Sequence, residues 1–240
     1  MTTSSIPAPV STQSQIPQWV TDWFEQLPSQ SLAETVTDPK STAIFSADMI
    51  VGFCDHGNLA SPRIDALTGP VVDLFRRGHE LGVRDFVLLQ DTHDPATPEF
   101  GAWPVHCVAG TDESETIPEL AELPFHDLFT VIPKNSLAPG HGTIFDLWLD
   151  AHPDLRTAIV VGDCTDLCTY SLAMHLRLRA NALNISDFEV IVPENSVDTY
   201  DLPPDSAHAI GAFPHPGDFF HQVFLYHMAL NGIRVVRELT

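Results

Sequence analysis

Four apolar runs in this chain end on residues able to do chemistry: TAIFSAD at Asp48, DFVLLQDTH at Asp91 and His93, LFTVIPK at Lys134, and TAIVVGDCTDLC at Cys168. A carboxylate within reach of a thiol accepts its proton, a lysine beside both holds the negative charge, and the thiolate attacks a carbonyl carbon to give a thioester. Asp91 and His93 stand at i and i+2 of an extended strand, so carboxylate and imidazole lie on one side and can share an ion. His106, with Glu99 ahead of it, would close that set. Together these residues outline a cysteine hydrolase with a metal site beside it.

For such distant residues to meet, the runs must be neighbouring strands of one sheet. The apolar pattern predicts strands at 42–48, 84–91, 128–133, 156–162, 188–192 and 233–236, and helices at 67–82, 143–151, 166–182 and around 217–231. Strands alternating with helices imply a three-layer α/β/α fold with a mostly parallel sheet of about six strands. In open parallel sheets the ligand crevice lies at the carboxyl ends of the strands, where all four runs end. The loop from Thr92 to about Ile117 is longer than a compact domain needs, and such loops commonly carry function. Residues 1–40 read as an N-terminal extension, with residues 1 to about 16 disordered and Trp19, Trp23 and Phe24 marking a short helix packed on the body. Residues 41–240 read as one hydrolase domain.

Composition narrows the partners. A net charge of −21 with only 11 Lys and Arg argues against nucleic acid or an anionic membrane surface, both of which reward clustered basic residues. No apolar segment is long enough to span a bilayer, and the first residues lack the basic and apolar regions of a secretion signal. A cytoplasmic protein acting on a small molecule is the expectation, and apolar surface on the last helix offers a means of forming a homo-oligomer. Cys54, Cys107, Cys164 and Cys168 form no disulfide framework, so free thiols are expected.

Taken singly, these residues have plain explanations: Asp48 as a turn cap, Lys134 as a solvated charge, Cys168 as a small buried hydrophobe, Asp91 and His93 as turn formers. For Asp48, Lys134, Asp91 and His93 their company argues otherwise, while for Cys168 position alone leaves the plain explanation standing. Thr165 or Asp166 reads as the cap of the helix after the fourth strand, placing Cys168 in its first turn, where the helix dipole stabilises a thiolate.

The wording Gly162-Asp163-Cys164-Thr165-Asp166-Leu167-Cys168 after a Val-rich strand resembles the nucleophile loop of the isochorismatase-like cysteine hydrolases, the superfamily that includes the nicotinamidases. Asp48, Lys134 and Cys168 match that superfamily's catalytic set in order and position, over roughly residues 41–236. The resemblance further implies an oxyanion hole from the backbone N–H groups of Cys164 and Cys168, with a cis peptide at Asp163-Cys164. Asp163 itself departs from the apolar residue usual there. Asp91, His93, Glu99 and the Trp103-Pro-Val-His106 stretch look like the nicotinamidase metal site, which implies one divalent ion (Zn, Fe or Mn) binding the pyridine nitrogen. Phe53 and Trp103 match aromatic positions that sandwich the pyridine ring, although both can equally be core residues.

The resemblance implies hydrolysis of nicotinamide to nicotinate and ammonia in NAD salvage. Two alternatives stay open: a relative acting on another amide, carbamoyl or ureido compound, and a non-catalytic protein that binds a metabolite or metal. Three further features stand apart. His215, His221 and His227 recur every six residues, which is not a ligand spacing on one helix face, and read as surface or cap residues. Cys54-Asp55-His56 suggests no geometry, and His141 lies in a loop that can reach the pocket mouth.

Overall fold

In a computed structural model the described residues are 16–240; the expectation of disorder at the start of the chain falls almost entirely outside them. The main elements are α1 (Gln18–Glu25), β1 (Thr42–Ala47), α2 (Thr68–Glu80), β2 (Asp85–Asp91), β3 (Phe129–Lys134), α3 (Phe145–Ala151) and β4 (Thr157–Asp163). They continue with α4 (Cys168–Ala182), β5 (Glu189–Pro193), β6 (Val197–Asp198), α5 (Pro204–Ile210), α6 (Gly217–Leu230) and β7 (Arg234–Val236). The six strands predicted from pattern lie within one residue of their expected ends. The sheet has seven strands rather than about six, because the two-residue β6 pairs with the end of β4. So short a strand leaves no alternation to read. A two-stranded parallel pair, Ser29–Gln30 with Glu238–Leu239, was also invisible for that reason.

The strand order is β3-β2-β1-β4-β5-β7, every neighbouring pair parallel. The order reverses between β1 and β4, and a crevice opens at the carboxyl ends of strands at such a switch. Alternating side chains feed two cores, one on each face. Phe45, Leu89 and Val160 pack with Phe145, Leu172, Leu225 and Met228 of α3, α4 and α6. Ile44, Leu88 and Val161 pack with Val71, Leu74 and Phe75 of α2. Both faces are covered, so β1 and β4 are buried along their whole length and read as unbroken apolar runs.

The helix expected around Trp19, Trp23 and Phe24 is α1, and it does pack on the body. Trp19 and Trp23 each meet Tyr226 of α6 edge-on at 5.1 Å, and Arg237 lies 4.8 Å over the Phe24 ring. Part of the α6 face considered for oligomer contact is thereby covered by the chain's own helix. No helix among the described residues is long and apolar enough to cross a membrane.

Candidate active site

The carboxyl ends of β1 to β4 bring Asp48, Asp91, Lys134 and Cys168 together. Register alone explains part of this, since Asp91 stands opposite Lys134 on β2 and β3. Lys134 is the hub, its Nζ 2.8 Å from Asp48 Oδ2 and 2.5 Å from Asp91 Oδ1, and donating to Cys168 Sγ at 3.3 Å. All four side chains are buried. Asp48 adopts a left-handed backbone (φ 53°) just past β1, held by its own N–H to Leu89 O and by Asp91 N–H donating to its Oδ1 at 2.6 Å. Beside it the β1 and β4 backbones close in at Gly162, whose φ is 101° and where a Cβ would stand 2.0 Å from Ala47 O. Only glycine fits there.

Burial in a common site makes these charges interdependent. Burial, then the neighbouring Asp91 carboxylate, raise Asp48 to about 6 against the pull of Lys134. Burial works against the Lys134 ammonium, but the Asp48 and Asp91 carboxylates outweigh it and hold the lysine well above its usual range. Burial also works against ionised Asp91, whose value is nevertheless lowered by Lys134 and His93. Cys168 is pushed well up by burial and then by Asp48, with Lys134 opposing. Burial and Asp48 thus work against the thiolate that the first helical turn was expected to stabilise.

The cap expectation also fails. The cap position of α4 is Leu167, with no side-chain cap hydrogen bond. Thr165 and Asp166 are engaged elsewhere. The Thr165 hydroxyl lies 2.9 Å from His221 Nδ1, and the Asp166 carboxylate accepts from Thr199 Oγ1 at 2.6 Å and pairs with His215 Nε2 at 2.8 Å. His215 and His221 are therefore buried, not surface residues; His221 lies 3.4 Å from Glu194 and 3.6 Å from Asp198. A six-residue spacing says nothing about partners brought by other segments. His227 is exposed, as expected.

The Asp163-Cys164 peptide is cis. The carbonyl of Cys164 accepts from the Leu167 and Thr169 N–H groups, and Thr165 N–H donates to Asp198 O. The N–H groups of Cys164 and Cys168 take no part in these loop hydrogen bonds. The Asp163 side chain is buried, and its Oδ2 has no partner among the described residues. Burial and then Asp48 push its carboxyl well above the usual carboxylate range, so the departure at 163 puts a buried acid where the resemblance has an apolar residue.

Next to this cluster, Asp91, His93 and His106 each offer a ligand atom, all within 4.8 Å of one another. Asp91 Oδ2 is 3.5 Å from His93 Nε2 and 4.0 Å from His106 Nε2, close to the ~3–4 Å between ligand atoms that each sit about 2.1 Å from an ion. His93 Nε2 is buried with no hydrogen-bond partner among the described residues. The other ring nitrogens explain why it faces inward: His93 Nδ1 is 3.3 Å from Asn135 Oδ1, and His106 Nδ1 is 2.7 Å from Pro104 O. Those acceptors place the proton on Nδ1 and leave each Nε2 lone pair free to ligate. Burial keeps His106 low; for His93 the burial effect is outweighed by Asp91, which raises it. Glu99 stands further out, Oε1 3.9 Å from His93 Nε2, and is raised by burial and by Asp91. Asp91, His93 and His106 fit a divalent cation, with Glu99 outside their group, near His93 alone.

Of the two predicted pocket aromatics, Phe53 is buried with its ring 5.7 Å from that of His106, and Trp103 is half-buried with its edge against Tyr200 at 6.1 Å. Phe100, not anticipated, meets both ligand imidazoles at 5.5 and 5.6 Å. Asn135 was also missed, although its place directly after Lys134 was a usable signal. His56 pairs on the surface with Asp55 and Asp112, and His141 is exposed. The four cysteines are free. A recess of about 230 Å³ between Leu149, Leu176 and Phe188 lies at the opposite end of the strands, apart from every residue above.

The sequence model of the Isochorismatase domain family matches residues 42–217, most of the chain. The chain belongs to the isochorismatase family. Within it, Nicotinamidase 1 of Arabidopsis thaliana is 29% identical over 214 residues, covering 83% of this chain and 87% of that protein. Among solved structures of the isochorismatase-like hydrolase fold, N-carbamoylsarcosine amidase from Thermoplasma acidophilum superposes with a TM-score of 0.60 at 25% identity, covering 82% of this chain and 96% of that one. The pyrazinamidase of Pyrococcus horikoshii in complex with zinc gives 0.61 at 23% identity, covering 82% and 99%.

Proposed function

We propose that this protein is a nicotinamidase-type amidohydrolase that converts nicotinamide and water to nicotinate and ammonia through a thioester on Cys168, serving NAD salvage in the cytoplasm. The observation that carries this reading is the Lys134 ammonium in contact with Asp48, Asp91 and Cys168 at once. Asp48, with its value near 6, is ionised at neutral pH yet basic enough to take the thiol proton as Sγ attacks the carboxamide carbon. Lys134 balances the charge that stays on the Asp48–Cys168 pair, and the Cys164 and Cys168 N–H groups receive the developing oxyanion. When the C–N bond breaks, Asp48 returns its proton to the leaving nitrogen and ammonia departs. Asp48 then takes a proton from water, the resulting hydroxide attacks the thioester, the C–S bond breaks, and the proton returns to sulfur.

Asp91, His93 and His106, with Glu99, would hold a divalent cation (Zn, Fe or Mn), which when bound supplies a Lewis-acid anchor for the pyridine nitrogen. Phe53 and Trp103 would flank the ring. The likeness to N-carbamoylsarcosine amidase favours a second reading, hydrolysis of a carbamoyl or ureido compound by the same three residues. Both reactions release ammonia, so the carbon product decides. Chromatography should find nicotinate from nicotinamide and no sarcosine from N-carbamoylsarcosine, with about one metal per chain. Sarcosine without nicotinate would replace the reading, and neither product, with metal bound, would move the search to other amides.

A further inference from the structure

Tyr200 follows β6, the strand that pairs with the end of β4 next to the Cys164–Cys168 loop. Its ring meets Trp103 nearly at a right angle (82°), centroids 6.1 Å apart. One face is stacked on His215 at 3.8 Å and 13°, and His215 is stacked in turn on Phe220 at 4.4 Å and 11°. The middle ring of this stack is fixed at both nitrogens: Nε2 to Asp166 Oδ2 at 2.8 Å, and Nδ1 to the carbonyl oxygen of Tyr200 at 2.8 Å. The other Asp166 oxygen accepts from Thr199, the residue before Tyr200. Asp166 lies two residues ahead of Cys168, so the loop that carries the nucleophile also sets the plane of the Tyr200 ring.

This is more order than a surface tyrosine needs. Two half-buried aromatics from distant segments, Trp103 of the long loop and Tyr200, form a right-angled corner at the carboxyl end of the sheet, with Tyr200 backed by the buried His215 and the half-buried Phe220. We infer that Tyr200 is a specificity-determining wall of the substrate pocket, meeting the ring of an aromatic amide together with Trp103, and that His215 is the positioning residue that holds it flat. The inference deepens the amidohydrolase reading and rests on it for the substrate. A rigid aromatic corner contributes mainly to binding, because its contact with the ring is the same before and during attack on the carboxamide.

The test compares full-chain Tyr200→Leu, which keeps apolar bulk without a ring, with Tyr200→Phe, which keeps the ring. Two readouts are taken: nicotinamide kinetics, and the rate at which Cys168 is alkylated by iodoacetanilide relative to iodoacetamide. Tyr200→Leu is expected to raise KM about tenfold with kcat within about threefold, and Tyr200→Phe to stay within about twofold of the parent. The parent's preference for the aromatic alkylating agent should fall at least about threefold in Tyr200→Leu and persist in Tyr200→Phe. His215→Gln should move both readouts in the same direction as Tyr200→Leu, by less. Unchanged KM and unchanged alkylation preference in Tyr200→Leu would overturn the inference. Should the parent fail to hydrolyse nicotinamide, the proposed function fails, while the alkylation preference still decides whether Tyr200 contacts an aromatic ligand.

Discussion

The cluster around Lys134 and the loop around His93 share one residue, Asp91, yet they are built on opposite plans. Around Lys134 the charges are closed on one another, with one ammonium against two carboxylates and a thiol at 2.5 to 3.3 Å. Around His93 the polar atoms are held apart, with two imidazole nitrogens facing one carboxylate oxygen at 3.5 and 4.0 Å. The first cluster spans four strand ends and is placed by the sheet. The second hangs largely from a loop and is placed by hydrogen bonds to Asn135 and Pro104. A closed cluster suits proton transfer, because its members change charge together. An open one suits a ligand, because the cost of orienting the donors has already been met by the fold.

The difference can be broken from either side. Cys168→Ala should abolish nicotinate formation, by at least about 10⁴-fold, with the chain still folded by thermal melting and still holding its metal. Lys134→Met should damage the closed side structurally, leaving Asp48 and Asp91 as uncompensated buried charges; a loss of about 3–5 kcal/mol in urea unfolding is expected. A loss under about 1 kcal/mol would mean that the two carboxylates are neutralised some other way.

Asn135→Ala sharpens the comparison, since it touches only the open side. Metal affinity should fall roughly 10- to 100-fold in competition with a chelator, while the iodoacetamide rate at Cys168 stays within about twofold. Equal effects on both would show the two regions to be one unit. The smallest effect is on pH. Asp48 must be ionised to accept the thiol proton, so activity is present above its value of about 6 and lost as pH falls through it. The kcat/KM profile should decline about tenfold per pH unit on that acid limb. A profile flat down to pH 5 would remove Asp48 as the base.

Strand positions and the four chemical strand ends were legible because buried parallel strands are written as continuous apolar runs, such as TAIVV before Gly162. Lys134 and Asp91 could be placed at the same end of one sheet, but not on neighbouring strands at 2.5 Å from each other. The Asp91 and His93 pair was legible from spacing and His106 through the resemblance; their supports Asn135 and Phe100 were not, since an amide and a ring have no spacing that marks such a role. The cap of α4 was misread for a related reason. Thr165 and Asp166 have the composition of capping residues, and Thr199, His215 and His221, some 30 to 60 residues later, decide that their side chains turn away.

By itself the sequence determined the alternation of strands and helices, the burial of the sheet on both faces and the identity of the residues at its carboxyl ends, because these follow from local periodicity and composition. The tertiary structure alone decided how those residues share charge. The pairing of Lys134 with two carboxylates, the upward shifts of Asp163 and Cys168 and the Tyr200–His215–Phe220 stack all depend on distances and desolvation between segments far apart in the chain, which no local pattern encodes.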